Sequence, residues 1–353
     1  MNKIPFRISK FTCDSLAFSE SFWSVLAFLR FILAAIVFIG HLNSFTRAMP
    51  SVFTNIMLLG GKASVVCFLL ISGISIGHSY AKSEAGYFQR RFLRIYPLYF
   101  FAVLFALFLQ YFLGSPFYTP GRTMVAAGLA TNLANFFFLQ GILSITITYN
   151  GPLWSLGVEV FFYMLVPFLK KISTWALYVI IILSMLAFLF LHPKKELLWG
   201  YPAFIYAWPW VIGFLISTRK HIKGSIILLL SGTISVYFNK SIMTENLSCI
   251  TFLLCSIITL ICMQEGFHIS KKLKTVFNFL GELSYPLYLF HLPIYLILYY
   301  WGIRSPYFFI FLLLLIIVPT NYVLDNLLKK IFWKPLVKFI NVKLDSFRLL
   351  KMN

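Results

Sequence analysis

The chain has 353 residues, 60% hydrophobic, 19% aromatic and 11% charged, against about 25% charged for a soluble domain. Apolar runs of membrane-spanning length recur from end to end, which excludes a water-soluble fold and indicates an all-α polytopic membrane protein. The net charge of +20 fits Lys and Arg crowded into cytoplasmic loops rather than a nucleic-acid partner, and Cys13, Cys67, Cys249, Cys255 and Cys262 form no disulfide framework.

Residues 1–21 read as a basic tail with Lys3, Arg7 and Lys10. The first span, Phe22–Leu42, contains Arg30 and lacks a small-residue cleavage site, so it is expected to stay as a helix. Val52–His78 follows, with Gly60, Gly61 and Gly73 as candidate bends, then a basic loop holding Lys82, Arg90, Arg91 and Arg94, then Tyr96–Leu113. Met124–Gln140 is weaker, because Asn132, Asn135 and Gln140 interrupt it. The remaining spans are Leu153–Leu169, Trp175–Leu191, Leu198–Ser217, Ser225–Phe238, Leu247–Met263, Phe277–Tyr300 and Pro306–Leu328. The expected organisation is tail 1–21, membrane domain 22–328 and basic tail 329–353.

Charge sets the expected count. With a cytoplasmic N-terminus, the clusters at 82–94, Lys170–Lys171, Arg219–Lys223, Lys271–Lys274 and Lys329–Lys330 all fall inside only if Met124–Gln140 does not cross. The expectation is therefore about ten transmembrane helices, both termini cytoplasmic, and a re-entrant or partly buried segment near 124–140. Such a segment must be covered by protein or line a wet cavity.

Polar residues inside the spans are the functional candidates, because a carboxylate in hydrocarbon costs about 2.5–3.5 kcal/mol on insertion scales. Glu159 lies in NGPLWSLGVEVFFYMLVP, about two turns inside the outer end. Arg30 and His41 are eleven residues apart, so they share a helix face about 16 Å apart along the axis. Arg30 either snorkels to the interface or faces the interior. His41 matches the depth of Glu159, and a carboxylate beside an imidazole makes a base and its orienter. Ser155 shares a face with Glu159. Trp154 fits an interfacial anchor or a sugar-stacking ring. Ser284, Tyr288 and His291, spaced i, i+4, i+7, form a polar stripe suited to helix–helix bonding or to a site. Glu282 and Asp325 read as structural, Asp325 pairing with Lys329. Arg91 and Arg94 read equally as a phosphate site and as a topology signal.

These residues sit in five motifs: LRFILAAIVFIGHL, VVCFLLISG (Ser72, Gly73), QRRFLRIYPLY, PLWSLGVEVFFYMLVP (with Tyr163) and LGELSYPLYLFHLP (with Tyr285). In this order and spacing the chain resembles the membrane acyltransferase 3 family, bacterial integral-membrane O-acyltransferases of surface polysaccharides. The resemblance covers nearly the whole chain. It implies a ten-span bundle in the bacterial inner membrane and an acyl-CoA donor, usually acetyl-CoA, bound from the cytoplasm as a substrate. No permanently bound cofactor or metal is expected. The acceptor is expected at the outer face: a glycan such as O-antigen or exopolysaccharide, or a lipid-linked carbohydrate.

The resemblance also suggests roles. Arg91 and Arg94, helped by Arg90, take the donor phosphates, and the pantetheine arm passes Arg30. His41 is the base, Glu159 steadies it, and Ser155 or Tyr288 polarises the thioester. Ser72, Trp154, Ser284 and His291 support. Direct transfer and an acyl-histidine both fit. Some family members append an extracytoplasmic SGNH-type domain; none is expected from the short basic stretch after the last span, so the expectation is that the membrane part recognises the acceptor. A transporter of a small anion or lipid-linked glycan is the other functional class, since transporters also hold charges at mid-depth.

Overall fold

A computed structural model describes residues 18–191, 200–219 and 221–339. The tail through residue 17 with Lys3, Arg7, Lys10 and Cys13, the loop His192–Glu196 that the sequence reading expects outside, and the tail from 340 lie outside the described residues. The fold is mostly helical. Its elements run α1 Glu20–Leu42, α2 Ser51–Met57, α3 Gly61–Lys82, α4 Tyr87–Phe112, β1 Phe117–Thr119, β2 Arg122–Met124, α5 Leu129–Phe136 and α6 Trp154–Lys171. There follow α7 Thr174–Phe190, α8 Tyr201–Ile205, α9 Ala207–Arg219, α10 Ile222–Phe238, α11 Ser248–Cys262, α12 Lys271–Tyr300 and α13 Pro306–Asn321. Among the described residues, five helical segments are long and apolar enough to cross a membrane: α1, α3, α4, Thr148–Lys171 and Pro306–Phe339. Three shorter apolar helices, α7, α10 and α11, accompany them.

The differences from the sequence expectation have local causes. Val52–His78 is two helices, α2 and α3, because Gly60 takes φ +85° between them, a conformation glycine adopts at little cost. The basic loop at 82–94 is largely helix. Arg90, Arg91 and Arg94 occupy the first turns of α4, which starts after Gly86 rather than at Tyr96. Leu198–Ser217 is also broken, into α8 and α9. Pro209 has no N–H to give the Ile205 carbonyl, and Ser184 sits in the gap: its Oγ lies 3.3 Å from Ile205 O and 2.7 Å from Phe204 O as a donor, and accepts from Trp208 N (2.9 Å). Pro306–Leu328 continues past its expected end as π-helical turns over Tyr322–Trp333.

The segment 124–140 does not form a span. It contributes the end of an antiparallel hairpin, β1–β2, and the eight-residue α5, about 12 Å long against a hydrocarbon core of about 30 Å. Leu129, Leu133 and Phe137 are 74%, 50% and 69% exposed, an apolar stripe that lies outward while Asn135 is fully buried. The Asn135 amide donates to Thr131 O (2.8 Å) and Ile145 O (2.9 Å), so protein covers its polar group.

Two packings set the interior: α3 along α9 and α1 along α12. A β-carbon on Gly73 would strike Trp210 O and stand 2.9 Å from Phe214 N; one on Gly213 would strike Leu70 O and stand 2.8 Å from Ile74 N. The two glycines therefore let the α3 and α9 backbones meet, the small-residue device of membrane helix pairs. Gly73→Ala is expected to lower stability by about 1–3 kcal/mol, read as a lower melting midpoint in detergent. Gly40→Ala, whose added carbon meets nothing within 4 Å, is expected to melt like wild type.

Candidate functional site

The site begins with three serines on one face of α3. Ser72, Ser75 and Ser79 are spaced i, i+3, i+7, and each meets a charged side chain from a different helix. Ser72 Oγ donates to Glu159 Oε1 of α6 at 2.6 Å. Arg30 of α1 donates from Nη2 to Ser75 Oγ at 2.5 Å. Arg91 of α4 donates from Nη2 to Ser79 Oγ at 3.3 Å. Tyr163, one turn beyond Glu159, donates its hydroxyl to the same Oε1. Among the described residues, Glu159 has no Lys or Arg within ion-pair distance; hydroxyls carry its charge.

These groups open onto a cavity of about 490 Å³. Arg30, Arg91 and Arg94 line one region of it, Ser72, Glu159 and Tyr163 another, and Ser155, Ser284 and Tyr288 a third. A second volume of about 310 Å³ shares the three arginines and is bounded by Trp23 and His78. Arg90 lies apart: its guanidinium donates to the Ser83 and Ala85 carbonyls and holds the turn before α4. Asp325 and Lys329, read from the sequence as structural, do pair at 2.9 Å, but they line the cavity with Asn321 and Glu282. The wider π-helical winding brings Asn321, Asp325 and Lys329, spaced by four, to a common side.

At the Ser155 region the cavity is closed by hydrogen bonds. Ser155 Oγ and Tyr288 OH lie 2.7 Å apart, with Pro152 O at 3.3 and 3.1 Å; one hydroxyl donates to the other, which donates to Pro152 O. Beyond this closure stand two histidines that do not line the cavity. His41 Nδ1 and His291 Nε2 are 2.7 Å apart with the rings stacked at 5.0 Å and 10°. His291 Nδ1 reaches the carbonyls of Leu287 (3.0 Å) and Tyr288 (2.9 Å). The expected partnership of His41 with Glu159 is thus not present. His41 is held by His291, and Glu159 by Ser72 and Tyr163. Ser155, one turn nearer the head of α6, pairs with Tyr288 beside His291, whereas Glu159 meets Ser72, one turn from the Ser75 that binds Arg30, so Glu159 lies further along the bundle from the histidines than the sequence expects. Ser284 donates back to Gly281 O (2.6 Å) within its own helix. Trp154 does not reach the cavity; its half-buried ring packs on Tyr206 at 5.3 Å.

A family model described as an acyltransferase domain matches residues 24–324. The chain belongs to the membrane acyltransferase 3 family. No curated protein and no solved structure matches it. This member of the acyltransferase 3 family is therefore an acyltransferase and a multi-pass membrane protein.

Some of the acyltransferase's site is not readable from the motifs alone. Ser75 and Ser79 escape notice as single serines, although their i, i+3, i+7 register with Ser72 is a usable signal. Asn150 is another. Pro293 cannot bond the Leu289 carbonyl one turn below it, and the buried Asn150 amide takes that carbonyl at 2.9 Å. This docks the head of α6 onto α12 near His291. Removing both hydroxyls that hold Glu159, with Ser72→Ala and Tyr163→Phe, leaves a partly buried carboxylate without protein partners among the described residues. The double variant is expected to lose at least about 1–3 kcal/mol, measured by thermal melting of the purified protein. Adding Glu159→Gln to it is expected to restore part of that loss.

Proposed function

We propose that this acyltransferase moves an acyl group, most simply acetyl, from cytoplasmic acyl-CoA to a hydroxyl of a cell-surface carbohydrate such as O-antigen or exopolysaccharide. The observation that carries this reading is one cavity with a cationic end and a hydroxyl-lined end, the latter abutting a histidine pair. Arg30, Arg91 and Arg94 suit a polyphosphate, because guanidinium forks match phosphate oxygens. Lys329 is already paired with Asp325, and the three arginines outnumber the two other carboxylates lining the cavity, Glu159 and Glu282. The pantetheine arm then runs past Glu159 and brings the thioester to Ser155 and Tyr288. The donor is a substrate; no metal or resident cofactor enters this reading.

Hydrogen-bond logic supports a base at His41. Carbonyl oxygens only accept, so His291 Nδ1 carries a proton toward Leu287 O and Tyr288 O. In the neutral ring Nε2 then accepts, which makes His41 Nδ1 the donor and leaves His41 Nε2 with a free lone pair. On this reading His41 Nε2 takes the proton of the acceptor hydroxyl as its oxygen attacks the thioester carbonyl carbon. The C–S bond breaks and the proton passes to the departing thiolate. Tyr288 or Ser155 donates to the carbonyl oxygen as charge develops on it. His291 replaces Glu159 as the orienter, and Glu159 belongs to the donor passage.

The topology that goes with this chemistry has ten spans: α1, α3, α4, α6, α7, α9, α10, α11, α12 and α13. Both termini are cytoplasmic and the membrane is the bacterial inner membrane. Lys82, Lys170, Arg219, Lys271 and Lys329 then fall on the inner side. Reporter fusions after Asn43 and Asn239 are expected to read outside, and those after Arg94, Lys223 and Lys274 inside; an opposite parity after Lys171 would overturn the count.

The deciding assay is purified protein with labelled acetyl-CoA and a glycan acceptor, read as acceptor-dependent CoA release. Arg91→Ala with Arg94→Ala is expected to weaken donor binding and leave acceptor affinity nearly unchanged. His41→Ala is expected to cost about 10²–10⁴-fold in turnover. His41→Ala with His291→Ala should be scarcely slower than His41→Ala alone, since residues acting as a unit are non-additive. Glu159→Gln is expected to act on the donor side and to multiply with His41→Ala. Full activity in His41→Ala at normal membrane levels would sink the mechanism.

A further inference from the structure

The segment between α4 and α6 folds the β1–β2 hairpin back onto the chain just past the end of α1. Gly121 N–H donates to Ser44 O at 3.2 Å, and a β-carbon on Gly121 would stand 2.9 Å from Ser44 Cα, so only glycine permits this approach. The next residue, Arg122, donates from Nε to Ser44 Oγ at 3.1 Å. Ser44 follows His41 by three residues, and its N–H bonds the His41 carbonyl at 3.1 Å. Arg122 is therefore tethered about one turn beyond His41, past the end of α1, while Arg30 sits at the middle of that helix.

This guanidinium is unusual in its surroundings. Burial lowers its pKa below the usual arginine value. Among the described residues no carboxylate lies within ion-pair distance of it; the ion pairs are Lys170–Glu84, Lys274–Glu20 and Lys329–Asp325. Of its five N–H donors, only Nε has a protein partner among the described residues, the Ser44 hydroxyl. Arg90, Arg219 and Arg304, by contrast, spend their donors on backbone carbonyls. The Nη1 nitrogen stands 3.7 Å from the place a Gly151 β-carbon would take, so the side of the fork toward Gly151 is not filled by a side chain. A partly buried charge without a counter-ion is costly. It also runs against the depletion of basic residues on the outer side, so neither folding nor topology accounts for it.

The donor cavity ends at the Ser155–Tyr288 closure, and Arg122 lies beyond the histidines from it, where the acceptor arrives. We infer that Arg122 reads the acceptor: its guanidinium fork binds a carboxylate or phosphate carried by the saccharide and sets the hydroxyl against His41. The acceptor is thus an anionic glycan. This inference rests on the acyltransferase reading of the same site. Four further cations on the described outer segments, Arg47, Lys62, Lys240 and Arg304, against Glu245, favour the same sign of substrate.

The test uses the full-length protein in nanodiscs with acetyl-CoA and three matched acceptors: a neutral oligosaccharide, its uronate-bearing counterpart and its phosphate-bearing counterpart. Wild type is expected to prefer one anionic acceptor over the neutral one by about 10-fold or more in kcat/KM, and which one names the source of the charge. Arg122→Gln should raise KM for that acceptor about 10–100-fold, the range for hydrogen bonds to charged groups. Its kcat and its KM for acetyl-CoA should change little, and Arg122→Lys should fall between. Unchanged acetyl-CoA binding by Arg122→Gln shows that the variant is folded. Turnover indifferent to acceptor charge, or an equal loss of kcat with all three acceptors in Arg122→Gln, overturns the inference and leaves the acyltransferase reading standing. Absence of acceptor-dependent CoA release from wild type with all three overturns that reading and this inference together.

Discussion

The hydroxyl face of α3 is the constraint on which the interior depends. A charged side chain at membrane depth needs the protein to replace water, and Ser72, Ser75 and Ser79 do so for Glu159, Arg30 and Arg91. Those three charges come from α6, α1 and α4. Satisfying each of them fixes one more helix against α3, so the polar requirement and the helix arrangement are a single problem. The opposite need is met on the same helix: Gly73 bears no side chain where α9 backbone touches it. α3 thus packs closely on one side and keeps an open, hydrogen-bonding side where the cavity lies. Overpacking or stripping either face alters both.

Much of this was legible from the sequence, and what was not has identifiable causes. Hydropathy located the apolar helices because burial in lipid demands continuous apolar length. The weakness of 124–140 was visible in Asn132, Asn135 and Gln140. The start of α4 was hidden, because arginines read as loop by charge yet are good helix formers. The break at Tyr206 was readable in principle, since Pro209 cannot complete the preceding turn. For the site, spacing within one helix was readable and the offset between helices was not. Glu159 was expected at the depth of His41, but the relative position of α1 and α6 along the bundle is written in neither helix, and Glu159 meets Ser72 beside Arg30 instead. Within one helix, where angle follows from spacing, the reading held: Ser284, Tyr288 and His291 are all buried on the interior of α12.

Two prolines show how α12 can carry this stripe. Pro286 and Pro293 each leave a carbonyl unserved by the helix. Asn150 takes the one at Leu289, which draws the segment ahead of α6 against α12. That contact places Pro152 O within reach of both Ser155 and Tyr288. The closure between cavity and histidines is therefore a consequence of helix breaking and its repair, built from neutral groups alone.

A closure of neutral hydrogen bonds suits the proposed chemistry better than an ionic one. A thioester held beside a free imidazole in reach of water would hydrolyse, so a transferase gains by keeping its base apart until both substrates are present. Neutral bonds are each worth about 0.5–1.5 kcal/mol net. The two bonds of the closure can be exchanged for bonds to an arriving thioester and sugar at little net cost. A buried ion pair in the same place would cost several kcal/mol to part and would not reopen on arrival of a neutral thioester. The charges accordingly stand at the two ends, with Arg30, Arg91 and Arg94 toward the donor mouth and Arg122 past His41. The segment between them, through Ser155, Tyr288 and the two imidazoles, carries no fixed charge. Electrostatics then serves to bind, and exchange of neutral hydrogen bonds serves to admit.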